Sequence, residues 1–105
     1  MAAYLIVRAH VVSDDDRDAF ESWYHEEHLP DAHGRFEATH AWRGWSEVEH
    51  NVHYAFYGFE DVPTAMAISQ SDAIKALVAE FDRTWGDRVT RTRDVVEMRH
   101  SIGPN

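Results

Sequence analysis

Residues 20–33 read FESWYHEEHLPDAH, and few layouts can accommodate them. Phe20, Trp23 and Tyr24 recur at spacings of three and four, so a helix puts them on one face, and His28 extends that face one turn past Tyr24. His25 lines up instead with Glu21 and Ser22, on the solvent side. Pro30 disfavours helical backbone at the residue before it, which predicts a helix ending at Leu29. A helix with this many rings on one side needs a second layer to cover them.

The flanking segments supply that layer. Residues 4–12 alternate as a strand, with Leu5, Val7, Ala9 and Val11 on an apolar face and Tyr4, Ile6, Arg8, His10 and Val12 on a mixed one. Ser13 and the three aspartates after it signal a helix start, with a capping hydroxyl and carboxylates at the positive end of the helix dipole. Residues 31–36 read as a connection, with Gly34 free to take a positive φ. A strand is expected at about 37–48, with Trp42 and Gly44 on one side and Ala41, Arg43 and Trp45 on the other. A turn at 49–51 leads to a partner strand at 52–60, apolar enough to suggest cover on both faces.

Asp61 or Thr64 can open the next helix, with Pro63 tolerated in its first turn. An interruption at 69–72 precedes the stripe Ile74, Leu77, Val78, Phe81 and Trp85, and Gly86 is the C-cap candidate. A last strand spans about 88–100, and 102–105 is a tail. The order strand, helix, strand, strand, helix, strand fits a ferredoxin-like α+β sandwich: an antiparallel four-stranded sheet with two helices on one face. Its other face would carry apolar residues such as Tyr4 and Ile6, more than a lone chain usually exposes. A homodimer packed sheet to sheet is therefore expected.

Composition narrows the function. The 105 residues suit one domain, 1–105, and the net charge of −9 disfavours nucleic acid and anionic membranes as partners. With no cysteine, thiolate catalysis and cysteine-ligated metals are excluded. Arg8 interrupts the apolar start, so neither a signal peptide nor a membrane span is read there, and a cytoplasmic location is the expectation. The glycines form no phosphate loop, and no serine sits in a nucleophile elbow.

The run Phe20-x-x-Trp23-Tyr24-x-x-x-His28-Leu29-Pro30, followed by Arg35-Phe36-x-Ala38-x-x-Ala41-x-Arg43, resembles the dimeric α/β-barrel superfamily. Within it, the run is most similar to EthD-like small proteins, which carry a tryptophan and a His-x-Pro at the end of the first helix. That superfamily includes cofactor-free monooxygenases, muconolactone-type isomerases, polyketide cyclases and haem-handling enzymes, so the resemblance implies a fold more firmly than a reaction. Asn51, in a turn, and Asn105, in the tail, offer no obvious counterpart to the asparagine used by some of the monooxygenases.

His28 is the first candidate for chemistry. At a helix C-terminus it would be a general acid or base with its protonated form favoured, or else a cap for the last carbonyls. Trp23, Tyr24, Phe36 and Trp42 would shape an apolar pocket beside it. Arg8 and His10 form a second candidate, approaching Arg43 or Tyr57 on the mixed face to hold an oxygen and move a proton, or pairing structurally with Asp94 or Glu97. His25, His28 and His33 with Glu26, Glu27 and Asp31 could supply metal ligands, but their spacing lacks the four-residue histidine pair of helical zinc motifs. The expected function is cofactor-independent acid/base chemistry, such as isomerisation or cyclisation, on a small apolar or aromatic enolisable compound. A non-catalytic ligand-binding or accessory dimer, and a haem- or metal-binding one, are the alternatives.

Overall fold

The computed structural model describes residues 2–103, so the tail read at 102–105 lies partly outside the described residues. Strand β1 (Ala3–Val11) leads through a short 3-10 turn into helix α1 (Arg17–Trp23), a π-helical turn (Tyr24–His28) and helix α2 (Leu29–Phe36). The hairpin β2 (Ala41–Trp45) and β3 (Val52–Phe59) follows, then α3 (Val62–Ser69), α4 (Asp72–Trp85) and β4 (Val89–Glu97). The strands lie in the order β2-β3-β1-β4, every neighbouring pair antiparallel, which is the ferredoxin-like topology.

Register decides which side chains meet the helices. Leu5 pairs with Tyr57 and Val95, Val7 with Ala55 and Arg93, and Ala9 with His53 and Arg91. In β2, Arg43 pairs with Ala55 and Trp45 with His53. Opposed residues share a face, so Arg43, His53, Tyr57, Arg91 and Arg93 all project toward the helical layer. Tyr4, Ile6, Arg8, His10, Trp42, Tyr54 and Phe56 project from the other side. The expected division of faces in β1 and β2 therefore holds. In β3 the chain itself covers only the helix-facing register fully: Tyr54 and Phe56 stay half-buried.

The main departure is in the first helical region. Pro30 does not end it; the helix continues to Phe36, and residues 31–36 are helical rather than a connection. The cause lies one turn earlier. Between Tyr24 and His28 the ladder widens, and the Leu29 N–H reaches back five residues to the Tyr24 carbonyl. Pro30 then enters at the first turn of α2, where its missing N–H and fixed φ cost little. Gly34 sits inside α2, and the left-handed residue is Glu37, at φ 53°. The strand expected at 37–48 shrinks accordingly to Ala41–Trp45.

Other local signals are met. The Asp61 carboxylate accepts from the Thr64 N–H at 2.9 Å, and Ser71 Oγ from that of Ile74 at 3.3 Å, so one cap opens α3 and the other opens α4 after the expected break. Ile74, Leu77, Phe81 and Trp85 are buried along α4, and Gly86 caps it at φ 56°. Asn51 takes φ 59° in the hairpin turn, a conformation asparagine tolerates.

Phe20 lies at the centre of the core with no exposed surface, and its ring meets Tyr24, Trp45, His53, Phe81 and Trp85 at centroid distances of 5.3–6.0 Å. Phe20→Ala should cost about 3–5 kcal/mol, the range for truncating a buried aromatic. Urea denaturation followed by tryptophan fluorescence will measure it.

Candidate functional site

Between the helical layer and the sheet is a cavity of about 380 Å³. Phe36 and Ala32 of α2 form one wall, and Ile74, Leu77 and Phe81 of α4 another. Val7, Tyr57 and Val89 form the floor. The exposed residues Asp82 and Arg93 mark its mouth beside edge strand β4.

His28 lines this cavity from the end of the π turn. Its ring stacks on Trp23, centroids 4.5 Å apart and planes at 21°, with Tyr24 and Phe81 edge-on at 4.8 and 5.4 Å. The π turn makes that stack possible. Five residues advance about 140° beyond a full turn in an α-helix, which would turn the two side chains apart. A ladder of i→i+5 bonds brings them nearly into line.

His28 is 8% exposed, and its Nδ1 is buried with no hydrogen-bond partner. Burial, opposed by nearby Asp31, holds its pKa down at about 4. The expected helix C-terminus would have favoured the cation. Because the helix runs on, His28 is not at a helix end, and desolvation decides. At neutral pH His28 is an uncharged imidazole with a lone pair, the form that can accept a proton.

Tyr57 adds a donor. Its hydroxyl lies 3.4 Å from that of Tyr24, and both are buried. Burial pushes Tyr24 up to about 12 and Tyr57 well above the ordinary phenol value, so both stay protonated. If Tyr24 donates within the pair, the Tyr57 proton is free for an oxygen in the cavity.

Arg43 is engaged elsewhere on the same face. It grips Glu21 with both terminal nitrogens, at 2.8 and 2.5 Å, and Trp45 Nε1 donates to the same carboxylate at 2.8 Å. These bonds hold Glu21 down at about 2. Arg43 Nη1 also lies 3.3 Å from His53 Nε2. A guanidinium can only donate, so His53 Nε2 accepts and its proton sits on Nδ1, which is buried without a partner. Burial, then Arg43, depresses His53 to about 3.

The sequence-predicted residues thus separate into two groups. His28, Tyr57 and Phe36 line the cavity, with Trp23 and Tyr24 packed behind His28. Arg8, His10 and Trp42 lie on the opposite sheet face, so the expected meeting of Arg8 or His10 with Arg43 or Tyr57 does not occur. Sheet alternation forbids it. Arg8 pairs with Glu49 at 2.6 Å, not with Asp94 or Glu97. Trp42 stacks on Tyr4 at 6.0 Å. Sequence reasoning missed His53, Arg91 and Arg93. His53 is the one basic side chain in the helix-facing register of β3, a local signal, whereas in the mixed β4 only pairing with β1 shows that Arg91 and Arg93 face the helices. No cluster of three or more metal-ligating side chains forms among the described residues, and no helix there is long and apolar enough to cross a membrane.

By sequence, the chain matches no family model and no curated protein. By structure, it is similar to an ethyl tert-butyl ether D (EthD) family protein from Bacillus halodurans, with a TM-score of 0.73 at 17% identity, covering 94% of this chain and 100% of that one. It is also similar to SnoaB, a cofactor-independent oxygenase from Streptomyces nogalater, with a TM-score of 0.67 at 11% identity over 98% of each chain. A dimeric ferredoxin-like protein from an uncultured marine organism aligns with a TM-score of 0.53 at 13% identity, over 96% of this chain and 98% of that one. At such identities the likeness establishes the fold alone, the ferredoxin-like one.

The buried histidines have a consequence for stability. Both folded pKa values lie below the ordinary 6.5, so between pH 6.5 and about 4 the unfolded chain takes up protons that the folded one refuses. Stability is therefore full above pH 6.5 and falls as the solution is acidified, by about 3 kcal/mol for His28 alone. Urea midpoints measured from pH 7 to pH 4 should show the fall, and His28→Gln should remove its share while leaving that of His53.

Proposed function

We propose that the protein is a small-molecule enzyme performing cofactor-independent proton transfer on an apolar or aromatic enolisable compound. The observation that carries this reading is the pairing, in the lining of one mostly apolar cavity, of a neutral imidazole with a protonated phenol.

In this reading His28 removes a proton from carbon adjacent to a carbonyl, and the Tyr57 hydroxyl donates to the oxygen as negative charge develops there. Phe36, Ile74 and Leu77 exclude water and hold the apolar part of the substrate. His28 then returns the proton at a different carbon, which completes an isomerisation. The low pKa makes His28 a weak base, so the donor to the enolate oxygen has to supply much of the driving force. The test is solvent deuterium incorporation into a panel of aromatic ketones and keto acids, followed by mass spectrometry. His28→Gln should slow exchange by about a hundredfold or more, and Tyr57→Phe by a smaller factor. Undiminished exchange in His28→Gln would remove the catalytic assignment. Tight binding of panel members without any exchange would favour a ligand-binding role.

The same reading includes a homodimer. On the outer sheet face, Tyr4, Ile6, Trp42, Phe56 and Met98 line an apolar depression, and Trp42 is 53% exposed there. A second copy packed sheet to sheet would cover it, and one structurally similar protein is described as dimeric. Trp42→Glu should convert a two-chain species to one chain in sedimentation velocity, with the circular dichroism of the fold unchanged.

A further inference from the structure

The cavity's charge is opposite in sign to the chain's. The whole protein carries nineteen acidic against ten basic residues. The cavity lining, however, holds two arginines, Arg91 and Arg93, against one carboxylate, Asp82, and a neutral His28. Both arginines occupy helix-facing positions of β4, paired with Ala9 and Val7 and flanked on the same face by Val89 and Val95. Valine there would continue the apolar floor.

The two arginines are not equivalent. Arg91 is committed to the protein. Its Nη1 donates to Asp82 at 3.0 Å, its Nη2 reaches the Val78 carbonyl at 3.4 Å, and its guanidinium lies 4.2 Å over Phe81. Arg93 has one long contact, to the Ser69 carbonyl at 3.4 Å, and among the described residues it meets no carboxylate. It stands exposed at the mouth, so the cation costs little there and remains available.

We infer that the cavity takes a small aromatic or alicyclic carboxylate, its anionic group held at the mouth by Arg93 and its ring against Phe36, Ile74 and Leu77. The inference rests on the reading of this cavity as a ligand site. One free guanidinium with five donors in a planar fork matches a monoanionic carboxylate. A phosphate dianion would leave negative charge uncompensated, because Asp82 already offsets Arg91. The about 380 Å³ of space lies at the small end of ligand pockets, which suits a one- or two-ring compound.

Calorimetric titration of the full chain with 2-naphthoate and with the neutral isostere 2-naphthamide at neutral pH tests this. The carboxylate should bind about tenfold more tightly than the amide. Arg93→Gln should remove that preference while leaving amide affinity unchanged, and Arg93→Lys should keep part of it. Because Arg93 is exposed, both variants should fold. Equal affinity for the two probes, or a preference unaltered in Arg93→Gln, would overturn the carboxylate while leaving the cavity a ligand site. Failure of both probes to bind would overturn both readings.

Discussion

The contact on which the rest depends is the packing of Phe20 among rings from every layer. Trp23 and Tyr24 come from its own helical region, Trp45 from β2, His53 from β3, and Phe81 and Trp85 from α4. A chain this short has little interior, so a few large side chains must do what many small ones do in larger domains. The rings pack tilted or edge-on, and Phe81 at their border also lines the cavity on the α2 and β4 side.

Around that packing, polar groups are treated in two ways. The Glu21–Arg43–Trp45 group is closely satisfied, with three charge-assisted or indole hydrogen bonds on one carboxylate. It fixes β2 against α1 and keeps Arg43 from the cavity. His28, by contrast, has aromatic neighbours and an unpartnered nitrogen. The sheet's alternation keeps the two sheet faces apart, so the Arg8–Glu49 pair on the outer surface cannot influence the interior through any direct contact.

Much of this was legible in the chain. Alternation in β1 and β2, the caps at Asp61 and Ser71, the stripe along α4 and the C-cap at Gly86 are local signals, and local signals survive folding. The ring-bearing face through His28 was equally visible. What could not be read was the π turn, because Pro30 looks the same whether a helix ends before it or widens to admit it. From that one misreading followed the short α2, the position of the left-handed residue at Glu37 rather than Gly34, and the charge state of His28. The candidate site was half legible. His28 and Phe36 were identified from ring content and resemblance, and Tyr57 only as a partner for Arg8 or His10 on the opposite sheet face. His53 was missed despite its local signal, whereas Arg91 and Arg93 needed strand register, which couples residues far apart in sequence.

The widened turn at Tyr24–His28 also bears on how this segment tolerates changes in length. A π turn is an α-helix holding one residue more than its ladder requires. Removing a single residue there would let the backbone relax into an unbroken α-helix with every hydrogen bond retained, apart from the one Pro30 cannot make. Such a deletion would be gentle on secondary structure and severe on the interior. It would turn α2 by about 100° relative to α1, carrying Ala32 and Phe36 away from the wall they now form. The spare residue therefore sets the angular phase between the two halves of the helix, and chains related to this one should vary in side chains across 24–28 more readily than in their number.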